Sequence, residues 1–273
     1  MPACSLPVAA SHQRAEGLLD VALKGEGRCT RLARFYQQGC LKARRIAAEG
    51  VLEIISINIS GGIAGGDTAA TRLELGSGAR AVFTTQAAER IYRALEEPSR
   101  ITTKLVVGPG ANLAYLPQET ILFDGFALDR TLDVELMEGA SCVGVESLAF
   151  GRLAMGEKLK SGNLRDRISL RRNGRLLWRD VTHLEGNLVA RLDQPGLGGK
   201  ARAAATLFAV REDVNAILPR LREALGEYVA GISISGDILL LRLLAADMAV
   251  LRRALAAALV VLRDGGLPRV WQS

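Results

Sequence analysis

Little in this chain is aromatic. Two Trp, four Tyr and six Phe make up 4% of the 273 residues, so a core has to be built mainly from Leu, Val, Ile and Ala. The scarcity counts against a surface that stacks nucleic-acid bases, which interleaves basic residues with exposed aromatics. It counts equally against a groove that holds sugars on aromatic platforms, so an enzyme working on polysaccharides with the acids of a stacked sheet is disfavoured. Histidine occurs twice, as His12 and His183, each without a metal-type neighbour at i+3 or i+4. A stable metal centre is therefore not expected. Cys4, Cys29, Cys40 and Cys142 form no C-x-x-C pair, and no G-x-S-x-G elbow is present. The longest apolar run, ALAAALVVL at 254–262, has nine residues flanked by arginines, too short to span a bilayer. The opening MPACSLPVAASHQRAEG lacks a basic segment followed by a long apolar one, as a secretory leader would have. These absences point to reduced cysteines and a cytoplasmic protein.

What remains is ordinary globular material, 49% hydrophobic and 23% charged, in a chain long enough to bury a sizeable core without staples. The net charge of +6 is carried mostly by Arg, with six Lys among 35 basic residues. Arg pairs in bidentate fashion with carboxylates, so an acidic protein partner fits this charge as well as nucleic acid does.

Alternation dominates after a loose opening of about twenty residues. ISINIS (55–60) sets Ile55, Ile57 and Ile59 on one face and Ser56, Asn58 and Ser60 on the other; TLDVEL (131–136) does the same with Leu132, Val134 and Leu136. A period of two predicts half-buried strands. RISLRRNGRLLWRD (167–180) predicts a hairpin, because Asn173-Gly174 suits the two positive φ angles of a type I′ turn. LGSGARAVFTTQ, VGPGANLAYLPQ and LMEGASCVGVES each place a Gly-Ala turn before a strand, with the pairs at 78, 110 and 139. A period near thirty predicts stacked supersecondary units. The polar segments that follow the repeated strands would then fall on one side and gather Gln86, Glu89, Gln118, Glu119, Glu146 and Glu157.

Two helices are expected late. In 211–225, Val214, Ile217, Leu218, Leu221 and Leu225 follow helical spacing, with Pro219 placed to kink or interrupt it. The second, 247–263, has Asp247 as N-cap, Gly265 as C-cap and Pro268 as stop, and GDILLLRLL (236–244) reads as a buried strand between the two.

SGGIAGGDT (60–68) is the densest unusual stretch. A phosphate loop would lead into a helix and supply a Lys; here an alternating strand follows, and Asp67 would repel the anion. Gly61, Gly62, Gly65 and Gly66 make sense as a tight turn between strands, with Asp67 as its cap. Alternatively the glycines let Asp67 meet a passing cation or a partner. Paired acids such as Glu119 and Asp124 could serve acid–base chemistry, but charged residues at strand ends are more often solvated or paired, and an enzyme is not expected.

In order along the chain stand AEGLLDV, QGCLKAR, INISGGIAGGD, TTQAAERIYR, YLPQETILFDG, ESLAFGRLAMGE, RISLRRNGRLLWRD and LPRVW. With this ordered set the chain resembles the UreD/UreH urease accessory proteins from about residue 15 onward. Ile59, where a Thr is usual, and Ile63-Ala64 between the glycine pairs are mild departures. The resemblance implies a mainly β, β-helix-like stack of strands with two helices near the C-terminus, in one UreD-type domain over residues 1–273, with 1–15 loose and 207–273 packed on the stack. It implies a chaperone, not an enzyme, that binds the urease apoprotein and accessory proteins of the UreF and UreG types. Neither nucleic acid nor membrane is among its implied partners. Nickel would be held transiently, with no tightly bound cofactor and no stable metal site, on its way through an internal channel. Asp67, Gln86, Glu119, Asp124, Glu146 and Glu157 are then the groups expected on a nickel path or partner interface, and Arg90, Arg93 and Arg152 in ion pairs or partner contacts. Oxygen ligands suit passage better than storage. Cys142 could touch nickel or simply fill space. A scaffold that braces the activation complex without carrying metal shares all of these features except the path.

Overall fold

A computed structural model of the chain describes residues 14–48, 50–152, 156, 159–263 and 266–272. Two hairpins open it: β1 (Glu16–Glu26) with β2 (Cys29–Gly39), and β3 (Leu41–Ala48) with β4 (Val51–Asn58). Coils follow, through β5 (Thr68–Leu75), β6 (Arg80–Thr85) and β7 (Glu89–Ile91), then β8 (Ser99–Val107), β9 (Asn112–Leu116) and β10 (Thr120–Leu122), then β11 (Phe126–Leu136) and β12 (Ser141–Phe150). The hairpin β13 (Ser161–Arg172) and β14 (Arg175–Asn187) leads to the short helix α1 (Leu188–Leu192). The remainder is β15 (Ala203–Val210), α2 (Val214–Ala224), β16 (Val229–Ser235), β17 (Ile238–Ala245), α3 (Met248–Leu262) and a 3-10 turn at Arg269–Trp271.

The result is a mainly β solenoid of about four turns. Strands of successive coils pair in parallel: β5 with β8, β8 with β11 and β11 with β13 on one wall; β4 with β6, β6 with β9 and β9 with β12 on the other. The first wall is a seven-stranded sheet in the order β14-β13-β11-β8-β5-β1-β2, the second runs β16-β17-β15-β12-β9-β6-β4-β3.

The thirty-residue repeat is the corner of this coil. Gly78, Gly110 and Gly139 have φ of 65°, 63° and 68°. Each is followed by an alanine whose N–H closes a turn onto the carbonyl of Gly76, Gly108 or Met137. The corners stack, with Gly78 N donating to Pro109 O at 2.9 Å and Gly110 N to Glu138 O at 3.0 Å. A Cβ at Gly78 or Gly110 would meet nothing, so it is the left-handed backbone, not crowding, that demands glycine there. The polar segments stack as well, on a short third side: Ile63 bridges Ile91, Ile91 pairs with Leu122 and Leu122 with Phe150, all four buried.

Inside the coil, Leu73, Leu105, Val134 and Leu170 share one register and are almost wholly buried. A second apolar core lies between the outer face of the larger sheet and the helices, joining Val82, Val145, Leu207 and Leu241 to Leu221, Leu255 and Leu259. In α3, Leu251, Leu255, Leu259 and Leu262 recur at helical spacing and face that core, and Asp247 caps the helix by accepting from Val250 N at 2.8 Å.

Several expectations are corrected. Strand structure starts at Glu16, within the stretch read as loose, because β1 pairs on both sides with β2 and β5. The alternation of ISINIS does not give a single buried face: Leu52 and Ile54 point into the coil, in line with Ser56, Ile55 is buried as well, and Ile59 lies beyond β4 and is 62% exposed. Both faces of this strand have something to bury, so an Ile cannot by itself tell inside from outside. α2 continues through Pro219 without interruption. A third helix, α1, was not foreseen; its N-cap Asn187 accepts from Ala190 N. The Asn173-Gly174 turn has both positive φ angles, 49° and 78°, as expected. Gly265 lies outside the described residues.

Candidate functional site

The glycine-rich loop lies where one coil steps over the next. A Cβ on Gly62 would fall 2.4 Å from a ring carbon of Tyr92, and one on Gly65 would fall 2.6 Å from the Glu97 carbonyl and 2.7 Å from Ala94 Cα. Gly61, Gly62 and Gly66 have positive φ, 78°, 147° and 82°. Gly65 is needed for approach, Gly61 and Gly66 for conformation, and Gly62 for both. Asp67 is buried, and each of its oxygens meets a main-chain donor: Oδ1 accepts from Ala15 N and Oδ2 from Ala64 N, both at 2.8 Å. Its own N–H and C=O bond to Ala64 O and Arg100 N. The carboxylate thus ties the start of β1 to the loop, while the main-chain carbonyl of Asp67 reaches the first strand of the next coil.

Beside this loop, Asn58 donates to both oxygens of Glu89 at 3.1 Å, and Ser60 hydroxyl donates to Asn58 Oδ1 at 2.6 Å. Burial pushes the Glu89 carboxyl above its ordinary value, against the Asn58 amide and the Arg90 N–H, which favour the charged form. Cys40 borders the same pocket of polar groups; burial likewise pushes its thiol up, with Ser60 opposing.

The third side carries a clamp between two segments far apart in sequence. Trp271 Nε1 donates to Leu116 O at 3.0 Å. Arg252 of α3 lies over the Trp271 ring, donates to Gln118 Oε1 at 2.5 Å and to Val270 O at 2.8 Å, and stands 3.6 Å from Glu119. LPQET and LPRVW therefore form one structural unit, with Glu119 half-buried beside it. Gln86 is exposed nearby in the stack and holds its place by its N–H to Ser56 O.

Glu146 faces inward. It accepts from Tyr115 hydroxyl at 3.0 Å and pairs with Arg130 at 2.6 Å. Arg130 also grips Asp166 through two nitrogens, at 2.9 and 2.6 Å, and donates to Thr120. Burial works against the Arg130 charge, but Asp166 and Glu146 outweigh it and raise its pKa. Burial pushes Glu146 upward, Arg130 draws it back, and Asp166 adds to the rise. Arg130 and Asp166 were missed from the sequence. Their signal was a charge inside each inward alternation, Leu128-x-Arg130-x-Leu132 and Leu164-x-Asp166-x-Ile168, and the two occupy matching register positions.

The other candidates lie apart from that cluster. Asp124 accepts from Lys160 N and Ser161 N at 2.7 and 2.9 Å and stands 3.6 Å from Arg93. Arg152 stacks over Phe123 at 4.3 Å from the ring centre. Arg90 is exposed beside Glu89. Glu157 lies outside the described residues. Cys142 is buried and its thiol is pushed up to about 12, so it stays protonated and apolar in character. Among the described residues no three His, Cys, Asp or Glu side chains converge in a way that could hold a metal ion, and no helix is long and apolar enough to cross a membrane.

Comparison with known proteins gives the family. The profile of the family described as UreD urease accessory protein matches residues 15–272. The chain belongs to the UreD family. Among its relatives, the urease accessory protein UreD of Ruegeria pomeroyi is 42% identical over 257 residues, 93% of this chain and 99% of that one. The one from Methylobacterium sp. (strain 4-46) is 43% identical over 273 aligned positions, covering 96% of each chain. The loop, clamp and inward cluster described above are thus features of a UreD-family solenoid.

Proposed function

We propose that this UreD-family chain acts in urease maturation by binding the urease apoprotein together with accessory proteins of the UreF and UreG types, and that it helps deliver nickel to the apo-urease active site. It works in the cytoplasm, as a single unit and without catalysis of its own. Nickel is cargo and is held only in passing. The observation that carries this reading is the identity of 42–43%, over nearly the whole chain, to proteins named urease accessory protein UreD. Within the fold, Gln86, Glu119, Asp124, Arg90, Arg93 and Arg152 are suited to partner contact. Asp67 and Glu146 are the buried acids suited to an internal route.

A second reading, a scaffold that carries no metal, is favoured by one specific observation. Both oxygens of Asp67 accept main-chain N–H bonds, and both oxygens of Glu146 are engaged by Tyr115 and Arg130. Acids with their oxygens already engaged serve the architecture first.

Reconstitution of urease activity from apo-urease, nickel, bicarbonate, GTP and the partner proteins separates the two. Asp67→Ala and Asp67→Asn are compared with the parent chain after co-purification has shown that partners still bind. A nickel route past Asp67 requires that binding survives and activation fails in both. Intact binding with intact activation removes Asp67 from any route and leaves it as the anchor of its loop.

A further inference from the structure

The open end of a β-sheet is a row of unpaired main-chain N–H and C=O groups, and folded proteins guard such rows with charge, proline or a covering element. Along their main order the two sheets here end in four strands, β14, β2, β16 and β3; a side branch ends in β7, whose other side bears the Ile63 bridge. Three of the four are guarded. β2 carries Arg31 and Arg34, β3 carries Lys42, Arg44 and Arg45, and β14 carries Arg175, Arg179, Asp180, His183 and Glu185. β16 reads Val-Ala-Gly-Ile-Ser-Ile-Ser, with neither charge nor proline. It pairs with β17 on one side. Among the described residues no strand pairing or main-chain hydrogen bond reaches its other side. Ile232 and Ile234 are only partly buried, at the rim of the helix-covered core, and Val229 is 68% exposed.

We infer that β16 is a self-association edge, which pairs antiparallel with β16 of a second copy of this chain about a twofold axis through Ile232. A twofold contact has to be complementary to itself. In this register Ile232 lies opposite Ile232 and Ala230 opposite Ile234, on the face that already borders the apolar core. Val229 lies opposite Ser235 and Gly231 opposite Ser233 on the other face. Every pair is uncharged. The same operation on β3 would crowd Lys42, Arg44 and Arg45 of two copies along one ladder, where like charges oppose pairing. The charge pattern thus singles out β16 as the end strand able to accept its own copy. The contact joins two ten-stranded sheets edge to edge and lets each copy extend the cover over the other's Ile232 and Ile234. One seven-residue strand per copy makes a contact below the roughly 1,000 Å² of a stable interface, so association is reversible and depends on concentration.

Sedimentation velocity of the full chain between about 1 and about 200 µM tests this, a span suited to a contact of that size. The parent chain is expected to shift from monomer to dimer across the range. Ile232→Lys and Ile232→Glu each place like charges across the axis and should weaken association at least about tenfold. A mixture of the two variants restores it, because Lys then faces Glu; that recovery also shows that the variants remain folded. Amide hydrogen exchange over residues 229–235 should slow as concentration rises. A chain that stays monomeric throughout, variants that associate like the parent, a mixture that fails to recover, or exchange that slows only when a different protein is added would each overturn the inference.

Discussion

Two cores lie back to back on the larger sheet, and they are made differently. The core under α2 and α3 is filled with apolar side chains, and its polar-tipped Trp271 sends its N–H to a backbone carbonyl. The core inside the coils encloses Arg130, Asp166, Glu146 and Tyr115 among its leucines and valines. The first can be filled in many ways, since hydrophobic volume is what it asks for. The second is specified pair by pair. Arg130 on β11 and Asp166 on β13 hold opposite register positions, so a slip of one residue would separate them and bury an unpaired charge. The contrast teaches that the helix-covered core supplies stability, while the coil interior also fixes the stacking of one turn on the next.

The sharpest way to break this contrast is Asp166→Ala, which leaves Arg130 buried with half of its counter-charge. A loss of about 3–5 kcal/mol is expected in urea unfolding. Replacing Arg130, Glu146 and Asp166 together with Met or Leu should recover most of it, which would assign the network to register and not to net stability. Leu255→Ala, in the helix-covered core, should cost about 2–5 kcal/mol, with no companion change able to rescue it short of refilling the space. Gly110→Ala probes the corner: the new Cβ has room, but φ of 63° is left-handed, so about 1–2 kcal/mol is expected from backbone strain alone. The smallest effect is pH-dependent. The folded-state pKa of Glu89 lies above the 4.5 of the free side chain, so its stabilising contribution is complete below pH 4.5 and is lost as pH climbs through the folded value. Glu89→Gln should therefore melt near the parent at low pH and gain on it toward neutrality, as thermal melts across that range would record.

Much of the coil was legible because its signals are local. Glycine before alanine at an interval near thirty marks a corner that needs a left-handed residue, and Leu132, Val134 and Leu136 alternate as an inward face must. Asn173-Gly174 and the Asp247 cap are likewise complete within four residues. The inward face of β4 could not be read, because that strand has material to bury on both sides. The inward charges were not seen as a pair because nothing local joins residue 130 to residue 166; only the coil's period does. The role of Asp67 within the fold could be half read. Its place at the end of a glycine turn was visible, but its bond to Ala15 N depends on where β1 runs in space.

The clamp has a consequence for how the molecule is made. Leu116 is separated by 155 positions from Trp271, which shares its carbonyl with the Thr84 hydroxyl. At the usual speed of synthesis, about 5–20 residues per second, that is a delay of roughly 8–30 s. Until α3 and Trp271 leave the ribosome, the outer face of the larger sheet, with Val82, Ala114, Leu116, Val143 and Val145, lacks the cover those two supply. The nascent solenoid therefore spends its most vulnerable interval as a finished coil with a greasy flank, and its yield in a cell depends on what shields that flank during those seconds.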